Sequence, residues 1–191
     1  MNEKVLKTLE YDKIIDQLAA LAGSTLAKDK CKNLKPSSIL SEIQAAQQET
    51  SDALSRLLRR GNISFSGVTD VRGTLKRLEI GSILSMEELL RICKLLEVCA
   101  RVKSYSRKDA GEDTGDSLDD LFEALQPLTP VSSEIRRCII SEDELSDDAS
   151  PALFRLRRSM RQTNDRVHAQ LASMVNGSVR SYLQDAVITM R

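Results

Sequence analysis

Five arginines, Arg155, Arg157, Arg158, Arg161 and Arg166, crowd one stretch of the chain, SPALFRLRRSMRQTNDRVHAQLASMV, against a single acid, Asp165. Guanidinium groups on an exposed helix face neutralise phosphates, and the resulting nucleic-acid binding is independent of sequence and weakens with salt. The same run can also serve as a solvated face, or pair with acids nearby. Arg155, Arg158 and Arg166 step around a helix drawn through this stretch, whereas Arg157 and Arg161 form an i, i+4 pair on another side. Sequence alone leaves both readings open.

No other cluster points to chemistry. His168 is the sole histidine, and its neighbours are arginines and Asp165 rather than groups that would orient a catalytic base or a metal ligand. The carboxylates Glu142, Asp143, Glu144, Asp147 and Asp148 lack the Asp-x-Asp-x-Asp-Gly register of a calcium loop and read as a solvated turn. Cys31, Cys93, Cys99 and Cys138 form no CxxC pair, so reduced, mostly buried thiols are expected and no metal site. No glycine is followed by lysine, which rules out a phosphate-cradling P-loop, and neither GxGxxG nor GxSxG occurs. Taken alone, the chain has no recognisable active site and no cofactor site of its own.

Composition is that of an ordinary soluble globular protein. The 191 residues, 41% hydrophobic and 29% charged, are enough for one good core, or for one core plus an extended appendage. Aromatics make up only 3%, with no tryptophan, which argues against a platform for stacking single-stranded bases and against an aromatic ligand pocket. The formal net charge of zero conceals segregation: eight acids and no bases between Asp109 and Glu134, then seven arginines and two acids from Arg155 onward. No secretory or transit pattern opens the chain, and its longest early uncharged run, Gln17 to Ala27, is far short of a membrane span. A cytoplasmic location without a membrane partner is expected.

Helical periodicity runs nearly throughout. YDKIIDQLAALAG places Ile14, Ile15, Leu18 and Leu21 on one face, with Asp12 as candidate N-cap and Gly23 as stop. A short helix over Ser24 to Leu34 and a long one over Ser38 to Arg60 follow, the latter with Ile39, Ile43, Ala46, Leu54, Leu57 and Leu58 as its apolar face and Gly61 at its end. A further short helix is expected from about Asp70 to Gly81. Ser85 and Glu88 make a capping box that opens a helix reaching about Ser104, apolar around most of its circumference and therefore central. RKDAGEDTGDS reads as a solvated loop, and short helices are expected over Leu118 to Leu125 and Val131 to Ile139.

The arginine-bearing stretch begins with strong start signals: Ser150 as N-cap, Pro151 at the first helical position, and Asp147 and Asp148 just upstream. Leu153, Leu156, Met160, Thr163, Val167, Gln170 and Met174 recur at steps of three and four, and Leu171 and Val175 continue that apolar side. Such a seam suits one partner helix better than a globular core. Beyond Gly177, a helical turn over Ser181 to Asp185 and a strand-like AVITM are expected.

The residues also carry a resemblance. LKTLEYDKIIDQLAALAGSTLAKDKCKNLKPSS, GVTDVRGTLKRLEIGSILSMEELL, IRRCIISEDELSDDASPALFRLRRSMR and YLQDAVITMR, in that order, are similar to the opening of the second bacterial branch of the MutS family, MutS-two. The most specific pieces are the D-x-A-S-P-x-L pattern at Asp147 to Leu153 and the YLQDAVITMR run. The acidic turn departs from the family, reading EDELSDD where a D-G-E sequence is usual.

The resemblance implies an all-α, multi-helix MutS-type core domain with a long protruding lever helix. It divides the chain into a core over 1–140, an acidic turn over 141–149, one lever arm over 150–176 and the start of a clamp over 177–191. On this view Leu153, Leu156, Met160, Val167 and Leu171 face a returning lever helix that lies beyond Arg191. It further implies a longer parent with a dimerising ABC-type ATPase using ATP and Mg, and a C-terminal Smr nuclease-like domain. The parent would act on branched or double-stranded DNA, suppressing homologous recombination, or on collided ribosomes. No ATPase or nuclease residue of the family falls on this sequence, so the chain itself is expected to be a non-enzymatic coupling segment.

Overall fold

The computed structural model describes residues 3–106, 115–177, 180 and 182. The strand expected at AVITM and nearly all of the expected clamp start and helical turn lie outside them, as does most of the loop RKDAGEDTGDS. All regular structure among the described residues is helical apart from one antiparallel bridge between Ile139 and Leu145, so the fold is all-α. The chain divides into two compact units, Met1–Arg136 with Ser141–Asp143, and Arg137–Ile140 with Glu144–Arg191.

The first unit begins with α1 (Glu3–Thr8) and α2 (Tyr11–Leu21), separated by two residues. Glu10 makes the reversal in a left-handed backbone conformation, φ 52°, a strain of about 1–2 kcal/mol for a residue with a side chain. Helix α2 therefore starts at Tyr11, and Asp12, expected as its cap, lies within the first turn. α3 (Thr25–Lys32) packs against α2 and is capped by Ser24, whose hydroxyl accepts a hydrogen bond from the Ala27 amide at 3.2 Å.

α4 (Leu40–Arg60) has no side-chain cap of its own. The Ser37 hydroxyl instead accepts from the Ile39 amide at 3.0 Å and donates to Glu42 at 2.6 Å, fixing the entry to the helix. Gly61, with φ 76°, ends it. After α5 (Arg72–Glu79), α6 (Met86–Ser106) opens with the expected reciprocal cap: the Ser85 amide donates to Glu88 at 3.0 Å, and the Glu88 amide to the Ser85 hydroxyl at 3.3 Å. α6 contributes Cys93, Val98 and Val102 to a short set of buried apolar residues, joined by Ile15 and Ala19 of α2 and by Val71. Then come α7 (Asp119–Glu123), packed against α6, and α8 (Thr129–Cys138).

In the second unit the acidic residues from Glu144 onward are folded. The bridge between Ile139 and Leu145 is closed by the Ile140 amide donating to the Glu144 carbonyl and the Ser146 amide to the Cys138 carbonyl, both at 2.9 Å. Ile139 is buried beneath it. A 3₁₀ turn, Asp147–Ala149, then leads into α9 (Pro151–Asn176), the longest helix among the described residues and one with no buried residue.

Candidate functional site

The arginines owe their placement to the way α9 begins. Ser150 is extended and its hydroxyl accepts from the Leu153 amide at 3.1 Å, while Pro151 occupies the first turn, where its missing N–H costs nothing. The preceding turn is pinned by its own cap, the Ser146 hydroxyl accepting from the Asp148 amide at 3.2 Å, and by Arg137 donating to the Asp148 carbonyl. This geometry holds the Asp147 carboxylate against the flank of α9.

Asp147 takes two of the five arginines. Arg157 donates to one carboxylate oxygen at 2.6 Å and to the Leu145 carbonyl at 2.8 Å, and Arg161, one turn on, donates to the other oxygen. Hydrogen bonds from Arg157 first, then Arg161, hold the Asp147 carboxyl below the usual carboxylate range. The pair is thereby a clasp between the acidic turn and the root of the helix.

Arg155, Arg158 and Arg166 stand apart from this clasp. All three are exposed; the contact described for Arg155 is to the Pro151 carbonyl of its own helix, and no acid partner is described for Arg158 or Arg166. At 100° per residue they fall within about 80° of arc, nearly opposite the apolar seam. The seam runs along the other side of the same helix. Leu153 and Leu171 are half-buried, while Leu156, Met160, Val167 and Met174 are 64, 70, 40 and 60% exposed. His168 and Asp165 are exposed as well. Among the described residues no group of three His, Cys, Asp or Glu side chains gathers as for a metal, and no helix is long and apolar enough to cross a membrane.

The most connected ionic site lies in the first unit and has no local signal in the sequence. Arg56 of α4, only 7% exposed, donates from Nε and Nη2 to Asp116 and from Nη2 to Asp119, each at 2.5 Å, with its guanidinium 4.7 Å from the Phe122 ring centroid. Hydrogen bonds from Arg56 hold the Asp116 carboxyl below its ordinary range. The ends of α7 are tied in addition. Ser117 donates to Asp52 from its hydroxyl at 2.7 Å and its amide at 3.1 Å, and Lys103 donates to the Leu125 carbonyl at 2.5 Å. An apolar cleft of about 570 Å³, lined by Leu57, Ile63, Phe65, Val102, Tyr105 and Phe122 among others, adjoins this network. A second ion pair, Arg136 to Glu97 at 2.7 Å, sits beside fully buried Cys93, whose thiol donates to the Ser132 carbonyl at 3.4 Å. Partners 60 and 63 residues apart, as for Arg56, leave no spacing that a sequence could show.

These networks position helices, and none assembles a nucleophile, a base and an oriented partner. No family model matches the chain. It is similar to proteins named Endonuclease MutS2 from Agathobacter rectalis and Lachnoclostridium phytofermentans, each 50% identical, and from Lachnospira eligens, 43% identical. Each alignment takes in the whole of this chain but only 24, 25 and 24% of the respective relative, so the chain spans about a quarter of the length of the curated relatives it matches. Identity at half of all positions, unbroken by domain from the first helix to the arginine-bearing one, is the mark of common descent, and the chain belongs to the MutS2 family, corresponding to the N-terminal quarter of its relatives.

Proposed function

We propose that the chain is a non-catalytic core-and-lever segment of a larger MutS2-type protein. Helix α9 is its outgoing lever arm, coupling the nucleotide state of an ATPase elsewhere in the parent to a clamp on nucleic acid. The relatives' name, Endonuclease MutS2, supports reading the parent as an endonuclease, and the proposal takes it as a homodimer that uses ATP and Mg on branched or double-stranded DNA or on ribosomes. In this reading none of that catalysis resides in the present residues.

The exposed seam of α9 carries the proposal. Burying what Leu156, Met160, Val167 and Met174 leave open is worth about 5 kcal/mol, a large amount of stabilisation for a helix to forgo. A separate copy covering the seam must first offset roughly 4 kcal/mol or more of lost translational and rotational freedom. A return helix in the same polypeptide escapes most of that cost, which favours an intramolecular partner.

Oxidative footprinting of Met160 and Met174 tests this reading. Both methionines should oxidise readily in the 191-residue chain and be protected in the full-length parent. Equal oxidation in chain and parent would remove the lever reading.

A further inference from the structure

We infer that Arg155, Arg158 and Arg166 form a phosphate-binding edge for the backbone of a double-stranded nucleic acid, and that Arg157 and Arg161 are not part of it. The inference goes beyond the lever reading and survives its failure, since it requires only that α9 be a helix with the partners described.

The five arginines that look alike in sequence fall into two classes. Arg157 and Arg161 are committed to Asp147, and an anion approaching them would have to compete with a carboxylate already in place. Arg155, Arg158 and Arg166 are exposed, have no described acid partner, and share one face. Along the helix axis they are spaced by about 4.5 and 12 Å, the second interval close to the width of the B-form major groove of about 12 Å. A straight row of this kind can place its first two guanidiniums on phosphates of one strand and the third on the strand across the groove.

The rest of that face decides the class of partner. Ser159, Gln162, Ser173 and Asn176 lie on it, all exposed, and supply hydrogen-bond donors without apolar bulk; one acid, exposed Asp165, borders it about 20° beyond Arg158, leaving three cations to one anion. A protein interface needs a desolvated apolar or aromatic centre, and a membrane surface needs an apolar face to insert; this side of α9 offers neither. The nearest ring, Phe154, 45% exposed, lies about 40° beyond Arg158 and outside the arc of the three arginines, so no ring stands between them for an unpaired base to stack on. A polyphosphate backbone read by charge and hydrogen bonding is the chemistry that remains.

Fluorescence anisotropy of the 191-residue chain with duplex DNA and with duplex RNA, across a potassium chloride series, tests the assignment. Three released counterion sites give a slope contribution of about −2.7 in log K against log salt, roughly a 40-fold loss between 50 and 200 mM. The triple substitution Arg155→Ala, Arg158→Ala, Arg166→Ala should remove that contribution, with helicity by circular dichroism unchanged. The corresponding triple Arg→Lys variant should retain it, and Arg157→Ala with Arg161→Ala should leave the slope as it was. Binding to either duplex supports the inference and names the source of the phosphates. A triple alanine variant with the original slope, a double variant that loses as much as the triple, binding confined to anionic lipid vesicles, or no binding to either duplex would each overturn it.

Discussion

Arg56→Ala separates a helix held by tertiary charge from one that stands by itself. The side chains of Arg56, Asp116 and Asp119 retain only 8, 15 and 20% of their exposure, so removing the guanidinium leaves two poorly solvated carboxylates facing each other. Breaking a buried pair in this way costs about 3–5 kcal/mol. Because the two acids keep some access to water, the low end applies, near 3 kcal/mol or about 150-fold in an opening equilibrium. The loss should concentrate in α7, whose five residues are too few to be helical alone and whose grip on α4 is Arg56 with Asp52. Hydrogen exchange read by mass spectrometry on the 117–125 segment should rise about a hundredfold, with the middle of α6 unaffected. Arg56→Lys, which keeps the charge but loses the two-pronged geometry, should lose roughly half as much in free energy. Protection of α7 within about threefold of the wild type in the alanine variant would refute the reasoning, because it would leave the ion pairs without energetic weight. The linkage to pH has a definite sign. The folded Asp116 carboxyl titrates below its unfolded value, so its stabilisation is full above about pH 4 and fades as acid carries the pH down through the folded value. The alanine variant should lose most of that dependence.

Three smaller perturbations probe other parts of the chain. Ser150→Ala removes the acceptor for the Leu153 amide and should cost about 1 kcal/mol, read as faster exchange in the first turn of α9 alone. Gly67→Ala puts a Cβ at φ 90°, 2.7 Å from Lys94 Cε; the lysine end can swing aside, so the backbone strain dominates and the midpoint of urea unfolding should fall by the equivalent of about 1–2 kcal/mol. Cys93 has no exposed surface, and burial, then the neighbouring Glu97, raises its thiol pKa. It should be alkylated roughly a hundredfold more slowly than Cys31, Cys99 or Cys138, at a rate set by local opening of α6.

Features that lie within one turn of the chain could be read from sequence, and those that depend on distant partners could not. The reciprocal cap of Ser85 and Glu88 and the start of α9 at Ser150 and Pro151 are contacts between residues three apart, and both appear where the pattern put them. The start of α2 shifted to Tyr11 because Glu10 absorbs the reversal from α1, a short helix without a clear periodic signal. Arg56 is the sharpest omission. It lies beside Leu54, Leu57 and Leu58 on a helix whose leucines are largely exposed while the arginine is buried, the inverse of what amphipathic patterning leads one to expect. Among the arginines of α9, the sequence placed Arg157 and Arg161 on a side of their own, but only the folded acidic turn shows that Asp147 claims both.

The clasp at Asp147 makes α9 a cantilever. It is gripped near one end, and beyond Arg161 about 22 Å of helix runs on to Asn176 with every residue except Leu171 and Val175 exposed. A tilt of about 5° at such a root moves the far end by roughly 2 Å, so small changes where the carboxylate sits become large ones at the tip. Because the grip is a charge-assisted pair of hydrogen bonds open to solvent, its stiffness should soften with ionic strength. Salt would then act on this arm twice, loosening its footing while it weakens its hold on phosphate.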